Sequence, residues 1–323
     1  MILTQTPLRI SLVGGGSDME PFYRRSDGAV VSFAINKYIY VGVNKKFDDD
    51  IRVSYFETEI VDDVNKLKHD LVREALKAFN VEKGIEIITM ADIPGSGTGL
   101  GSSSTLTVGL IRALQKYHDI KLIGHPHELA EFAYLVEQKY CNKAVGKQDH
   151  FAAAYGGLHY YQFERKRVVA ELLNLNANEL NELQNHFTLL WTGRTRSAAK
   201  ILQHQERNLD RGRYQIAEGM RDLAVMMRDD LRNKDISNIG AYMDANWQLK
   251  RRLANGISNE WIDRIYDKAL EAGAEGGKIC GAGGGGFFLF YGKLGIGPDL
   301  EEATGLKRID FEIEREGSKV VYG

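Results

Sequence analysis

Cysteine is scarce: of 323 residues, only Cys141 and Cys280 are cysteines. Two cysteines make no disulfide scaffold, and their spacing fits no metal-binding motif. Long apolar runs are missing, so no stretch can span a bilayer. Met1 to Val13 lacks a basic start and a long apolar run, so it does not read as a secretory leader. No charge of one sign dominates, since 42 Lys and Arg stand against 44 Asp and Glu, for a formal net charge of −2. The signs are mixed along the chain, which speaks against a nucleic-acid surface or a membrane-binding face. No internal repeat and no low-complexity tail appear. What remains is a globular protein of about two domains, expected in the cytoplasm. Its 43% hydrophobic residues suffice for real cores.

Glycine, by contrast, is concentrated in three stretches, and the middle one organises the rest. Pro94 to Ser104 follows a strand-like run, Ile85 to Met90, and precedes a helix-like run, Thr105 to Tyr117. Glycines without a Cβ let backbone approach a ligand. Serines at a helix start leave free N–H groups at the positive end of the helix dipole, which makes an anion site. Phosphate is the usual anion there, and no Lys follows Gly101, so the stretch is not a Walker A loop. Periodic segments on both sides argue against a flexible linker.

Hydrophobic patterning places strands at Met1 to Val13, Ile51 to Phe56, Leu158 to Phe163, Phe187 to Trp191 and Phe287 to Tyr291. Ala29 to Ile35 and Tyr38 to Val43 read as a hairpin turning at Asn36-Lys37. Helical spacing marks Asp63 to Phe79, His127 to Tyr140, Ser197 to Asn208, Tyr214 to Arg232, Ile236 to Leu253 and Asn259 to Ala272. Two late strands are expected at Lys307 to Ile313 and Ser318 to Tyr322. The mixture reads as α+β, with units at 1–185 and 186–323.

Three glycine-rich boundaries in one chain are hard to explain as linkers. Pro7-Leu8-Arg9 through Gly14-Gly15-Gly16-Ser17-Asp18 resembles the first motif of the GHMP small-molecule kinases, Pro94 to Ser104 the second, and Lys278 to Phe287 the third. The runs Arg52 to Tyr55, Gly146 to Asp149 and Thr192 to Ser197 resemble the heptose-phosphate kinase branch. The resemblance implies an N-terminal domain like ribosomal protein S5 domain 2 and a ferredoxin-like C-terminal domain, with the site between them. It also implies ATP and Mg²⁺ as cofactors and a small sugar phosphate as partner. Phosphorylation would fall on the anomeric hydroxyl of the heptose. A fucokinase-like enzyme, or a non-catalytic sugar or nucleotide sensor, stays open on the same fold.

Residue by residue, backbone from Pro94, Gly97, Gly99, Leu100, Gly101, Ser102, Ser103 and Ser104 would hold ATP phosphates. Ser103 and Glu137 would ligate Mg²⁺, an ion suited to hard oxygen donors. Ser103 would also cap the helix, and a surface charge is the alternative for Glu137. Asp149 is the expected base, with a capping role as its alternative, and Arg9 would lie beside it. Asp18, Gly15 and Gly16 would face the sugar, as would Gly283 and Gly284. Where galactokinase resembles Gly-Glu-His-Thr-Asp, this chain has Gly14-Gly15-Gly16-Ser17-Asp18, which would leave space for a longer sugar. Arg196, with Arg194, Lys200, Arg24 and Arg25, would supply cations for its phosphate. Tyr38 and Tyr40 would either approach adenine or pack in the core. The helices from Tyr214 to Leu253 could cover the core or pair subunits, which leaves monomer or homodimer open.

Overall fold

The computed structural model describes residues 1–94, 97–120, 125–195, 197–210 and 212–323. Among them, eight strands form one sheet and four form another. The first sheet has β1 (Ile2–Val13), β2 (Gly28–Lys45), β3 (Ile51–Ser54), β4 (Thr58–Val61) and β5 (Ile85–Ala91). It also has β6 (Leu158–Phe163), β7 (Val168–Leu172) and the last strand of the chain. Between these strands lie α1 (Glu20–Tyr23), α2 (Asp70–Ala78), α3 (Ser102–Tyr117), α4 (Pro126–Leu135) and α5 (Gln148–Tyr155). Helix α3 packs on β1 and β2, and it is buried on nearly all sides, as its apolar composition predicts.

Strand β1 lies between β2 and the last strand of the chain. From Leu8 to Val13 every side chain is buried, polar Arg9 and Ser11 included. Full burial of a Leu or Ile stabilises by about 1.5–3 kcal/mol, so Leu8, Ile10 and Leu12 anchor the strand on which Arg9 rides.

The expected hairpin at Asn36-Lys37 is absent; β2 is one strand of 18 residues. A two-residue hairpin turn needs positive φ, and neither Asn36 nor Lys37 has it. Both halves of β2 pair with β1, with Pro7 opposite Tyr38 and Leu8 opposite Ile35, so the two residues form a bulge. Beyond it the halves choose different partners: Gly28 to Phe33 pairs with β6, and Ile39 to Lys45 with β5.

After α6 (Ala177–Asn185), the second sheet is antiparallel, in the order β11 (Lys307–Arg308), β8 (Phe187–Trp191), β10 (Phe287–Gly292), β9 (Ala274–Ile279). Its helices are α7 (Ala199–Asp210), α8 (Tyr214–Arg232), α9 (Ile239–Arg251), α10 (Glu260–Glu271) and α11 (Gly297–Thr304). Strand β9 was hidden in the sequence by its glycines. A Cβ on Gly276 would fall 2.0 Å from the Gly240 carbonyl oxygen, so the glycine lets α9 lie directly on β9. The late strand expected at Lys307 to Ile313 shrinks to β11 and one bridge, Ile313 to Ile35. Strand β12 (Lys319–Tyr322) leaves the second sheet and pairs with β1. No helix among the described residues is long and apolar enough to cross a membrane.

Candidate active site

Strand β1 delivers Arg9 to the N-terminus of α5, where Asp149 stands in the first turn. Arg9 Nε donates to Asp149 Oδ1 at 2.8 Å, and Nη2 donates to Oδ2 at 2.8 Å. The planar guanidinium matches the carboxylate edge to edge. Arg9 is 3% exposed, and its Nη1 donates to the Gly99 carbonyl at 2.8 Å. The Arg9 backbone N–H donates to the Leu100 carbonyl at 3.1 Å, so one residue ties the strand, the acid and the central loop together. Neither ordinary alternative holds: Arg9 does not face solvent, and the Asp149 carboxylate takes Arg9 where a cap would take backbone N–H.

The central loop ends at Gly101, which caps α3 without a side chain. No acidic residue of α3 itself occupies its first turn, whose N–H groups and positive dipole end suit an anion. Ser103 Oγ donates to Glu137 Oε1, and Ser104 Oγ donates to Glu137 Oε2 at 2.8 Å. Glu137 sits in a π-helical turn, Val136–Tyr140, that continues α4. That turn breaks the 3.6-residue register, so helical spacing could not decide which way Glu137 points. It points inward and is 3% exposed.

His150 Nε2 pairs with Glu137 Oε2 at 2.9 Å, and its Nδ1 has no hydrogen-bond partner among the described residues. Burial opposes ionisation of Glu137. The hydrogen bond and charge of His150 and the Ser103 hydroxyl outweigh it, taking the acid from its usual 4.5 down to about 2. A carboxyl depressed in the native state stabilises above its unfolded pKa and gives that up as pH falls through the native one. Stability should therefore fall between about pH 4.5 and pH 2. Glu137→Gln should lose about 3 kcal/mol near neutral pH and flatten the acid limb in fluorescence-monitored unfolding. An unchanged limb would remove Glu137 from the account.

The first glycine loop folds around Asp18, which is 1% exposed. Its Oδ1 accepts the Gly16 N–H at 2.8 Å and its Oδ2 the Gln148 N–H at 3.2 Å, tying the loop to the start of α5. Burial pushes Asp18 up from its usual 3.8 against the Gly16 hydrogen bond, and the charge of Asp149 adds to the rise. A Cβ on Gly146 would fall 1.9 Å from Asp18 Oδ2, so only glycine fits there. The space expected at Gly15 and Gly16 is not open on the side where a Cβ would project. Gln148 Nε2 lies 3.1 Å from that point on Gly15, and Leu253 lies 3.2 Å from it on Gly16. These glycines admit the chain's own side chains.

The third loop joins β9 to β10 and meets the central one. The Phe287 N–H donates to the Thr98 carbonyl at 3.2 Å. Gly283 and Gly284 lie earlier in the loop, against Ile257. Cys280 is fully buried and burial raises its thiol, in keeping with a packing role; Cys141 is half-buried and pushed up to about 12 by burial.

Three of the expected phosphate cations are occupied, while Lys200 is exposed. Arg24 pairs with Glu20 at 2.5 Å, Arg25 lies over the Tyr214 ring, and Arg194 stacks 4.2 Å above Trp261. Arg196 falls outside the described residues. Tyr38 bonds Glu314 and Tyr40 accepts from Gln5. Sequence reasoning missed His150, Asn246, Lys250 and Lys278, and the contact of the Ser104 hydroxyl with Glu137. Lys278 is wholly buried and donates to the Leu12 carbonyl at 2.9 Å, with burial and the charge of Lys250 pushing it well below its usual 10.5. Asn246 and Lys250 left a signal: polar residues on the same stripe of α9 as Ile239, Met243 and Trp247.

Residues 66–157 match the GHMP kinases N terminal domain, and residues 227–304 match the GHMP kinases C terminal domain. A D-glycero-alpha-D-manno-heptose 7-phosphate kinase of Campylobacter jejuni is 31% identical, over 98% of both chains. A bifunctional fucokinase/GDP-fucose pyrophosphorylase of Arabidopsis thaliana is 26% identical over 94% of this chain and 30% of its own. In structure, a putative sugar kinase from Campylobacter jejuni aligns with TM-score 0.79 and 29% identity, over 99% of this chain and 97% of its own. A D-glycero-D-manno-heptose 1-phosphate kinase from Bacteroides thetaiotaomicron aligns over the full length of both chains, with TM-score 0.80 and 22% identity, a likeness of fold.

Proposed function

The chain belongs to the GHMP kinases, and on that footing we propose that it transfers the γ-phosphoryl group of ATP to the anomeric hydroxyl of D-glycero-D-manno-heptose 7-phosphate, giving the 1,7-bisphosphate. It is a phosphotransferase acting on a sugar hydroxyl. The observation that carries the reading is the bidentate Arg9–Asp149 pair held against the central loop at Gly99. The identity shared end to end with the Campylobacter jejuni heptose kinase supports the choice of sugar.

Backbone N–H groups from Gly97 to Ser104 and the start of α3 receive the ATP phosphates. Asp149 accepts the proton of the anomeric hydroxyl as its oxygen attacks the γ-phosphorus, and ADP leaves from the opposite side. Arg9 holds Asp149 in place, and its remaining N–H groups face the charge on the transferred phosphoryl. Asp18, Gly15, Gly16, Gly283 and Gly284 form the acceptor side. Mg²⁺ suits the adjoining Ser103 hydroxyl and ionised Glu137, two hard oxygen donors already in contact. When bound, the ion offsets charge on the phosphates. The described residues hold no cluster of three or more acidic, His or Cys side chains that could hold a metal ion.

The test is ADP release with Mg²⁺ and ATP across heptose 7-phosphate, heptose 1-phosphate, mannose 6-phosphate, mannose, fucose and galactose. Turnover confined to heptose 7-phosphate is expected. Preference for fucose would replace the acceptor. ATP binding without turnover on any sugar would favour a sensor.

A further inference from the structure

Helix α9 and the turn after it touch the first and third glycine loops at once. Asn246 Oδ1 accepts the Gly14 N–H at 3.0 Å. One helical turn on, Lys250 Nζ donates to the Gly281 carbonyl. Residues four apart share a helix face, and both are buried, Asn246 fully and Lys250 at 5% exposure. Past the helix, Leu253 packs on Gly16, and the Ile257 carbonyl accepts the Gly284 N–H at 2.8 Å. One continuous segment therefore grips Gly14 and Gly16 on one side, and Gly281 and Gly284 on the other.

The grip passes on to the reacting groups. A Cβ on Gly281 would fall 2.5 Å from the Gly99 Cα, so the third loop is braced on the central loop there. The Gly99 carbonyl in turn holds Arg9. At its other end α9 lies directly on β9 through Gly240 and Gly276. Burying an Asn and a Lys is unfavourable unless their polar groups are satisfied; Asn246 Oδ1 and Lys250 Nζ are, while Asn246 Nδ2 is buried with no hydrogen-bond partner among the described residues. An apolar residue would fill either position on this stripe as well for packing alone. What the two polar groups add is a fixed distance between loops that come from opposite ends of the sequence. An error of about 1 Å between reacting groups can slow a reaction about 10²-fold.

We propose that Asn246 and Lys250 are positioning residues for phosphoryl transfer, setting the acceptor-side loop at Gly14 to Asp18 against the Gly281 to Gly286 loop that braces the phosphate loop. The proposal rests on the assignment of the first loop to the acceptor sugar.

Four variants test it. Asn246→Leu and Lys250→Met remove the polar contact at similar volume. Asn246→Asp and Lys250→Arg keep the acceptor and the donor. In ADP-release kinetics, Asn246→Leu should raise the acceptor KM about tenfold, and Lys250→Met should lower kcat about tenfold with the ATP KM within about twofold. The Asp and Arg variants should recover most of each loss. Hydrogen exchange on the free protein should quicken about tenfold at the first loop in Asn246→Leu and at the third loop in Lys250→Met. Uniform losses in all four variants, following a lower thermal midpoint and faster exchange throughout α8 and α9, would reduce the pair to ordinary packing. Unchanged exchange at both loops would also overturn the proposal. Loosened loops in a protein that turns over no sugar would support the strut and reject the acceptor.

Discussion

With Asp149 replaced by Asn, kcat should fall about 10³-fold, the loss expected when a general base goes, while ATP still binds. The substitution keeps size and shape. One oxygen can still accept from Arg9, but an amide takes no proton from a sugar hydroxyl. It also turns an N–H toward a guanidinium that now donates at 2.8 Å to each carboxylate oxygen. Breaking a fully buried ion pair destabilises by about 3–5 kcal/mol. The Asp149 side chain is 22% exposed, so water can reach Arg9 and the loss should be about 1–2 kcal/mol. Kinetics beside a thermal midpoint and a nucleotide-binding isotherm separate the effects. Residual kcat within tenfold of the parent would show that Asp149 only orients the hydroxyl or Arg9.

Gly99→Ala should be nearly as damaging, for a different reason. Gly99 has φ +81°, a left-handed conformation that favours glycine, and its Cβ would stand 2.3 Å from the Cys280 carbonyl oxygen. No side chain can yield there, since the obstacle is backbone at the head of the third loop. The central and third loops must part, and the Gly99 carbonyl must release Arg9. Activity should drop about 10²-fold or more, with about 2–4 kcal/mol of stability lost. Gly193→Ala is the control: its φ is +69°, yet nothing lies within 4 Å of its Cβ position. It should lose only the left-handed penalty, about 1–2 kcal/mol. Equal effects in the two variants would mean that the contact between the loops does not matter.

Much of this was legible beforehand because the residues involved obey local rules. Strand, glycine loop and helix follow one another at Ile85 to Tyr117, and each leaves its own pattern. Asp149 stood out by following Gly146 at a helix start, and Arg9 through the motif around it. What was not legible depends on partners distant in sequence. The fate of Asn36-Lys37 depends on β1 pairing with both halves of β2, which no local pattern reveals. Strand β9 was hidden because glycines that admit a helix read as loop. The face of Glu137 was lost in a π turn, and His150 had no signal apart from its place beside Asp149. The polar pair on α9 was visible as an irregularity in an apolar stripe, but its meaning lay in two loops elsewhere.

Strand β12 lies beside β1, with Leu3 opposite Tyr322 and the Thr6 and Ser318 hydroxyls 2.8 Å apart. A ribosome makes β1 long before β12. While residues before Ser318 are still being added, β1 has β2 on one side and an open edge on the other, with unpaired backbone groups. Pairings this far apart in the chain form slowly. The strand that carries Arg9 is thus made well before β12, and it gains that partner late. Chains stopped short of β12 should leave β1 open at Leu3 to Gln5 and depend on chaperones to keep that edge covered.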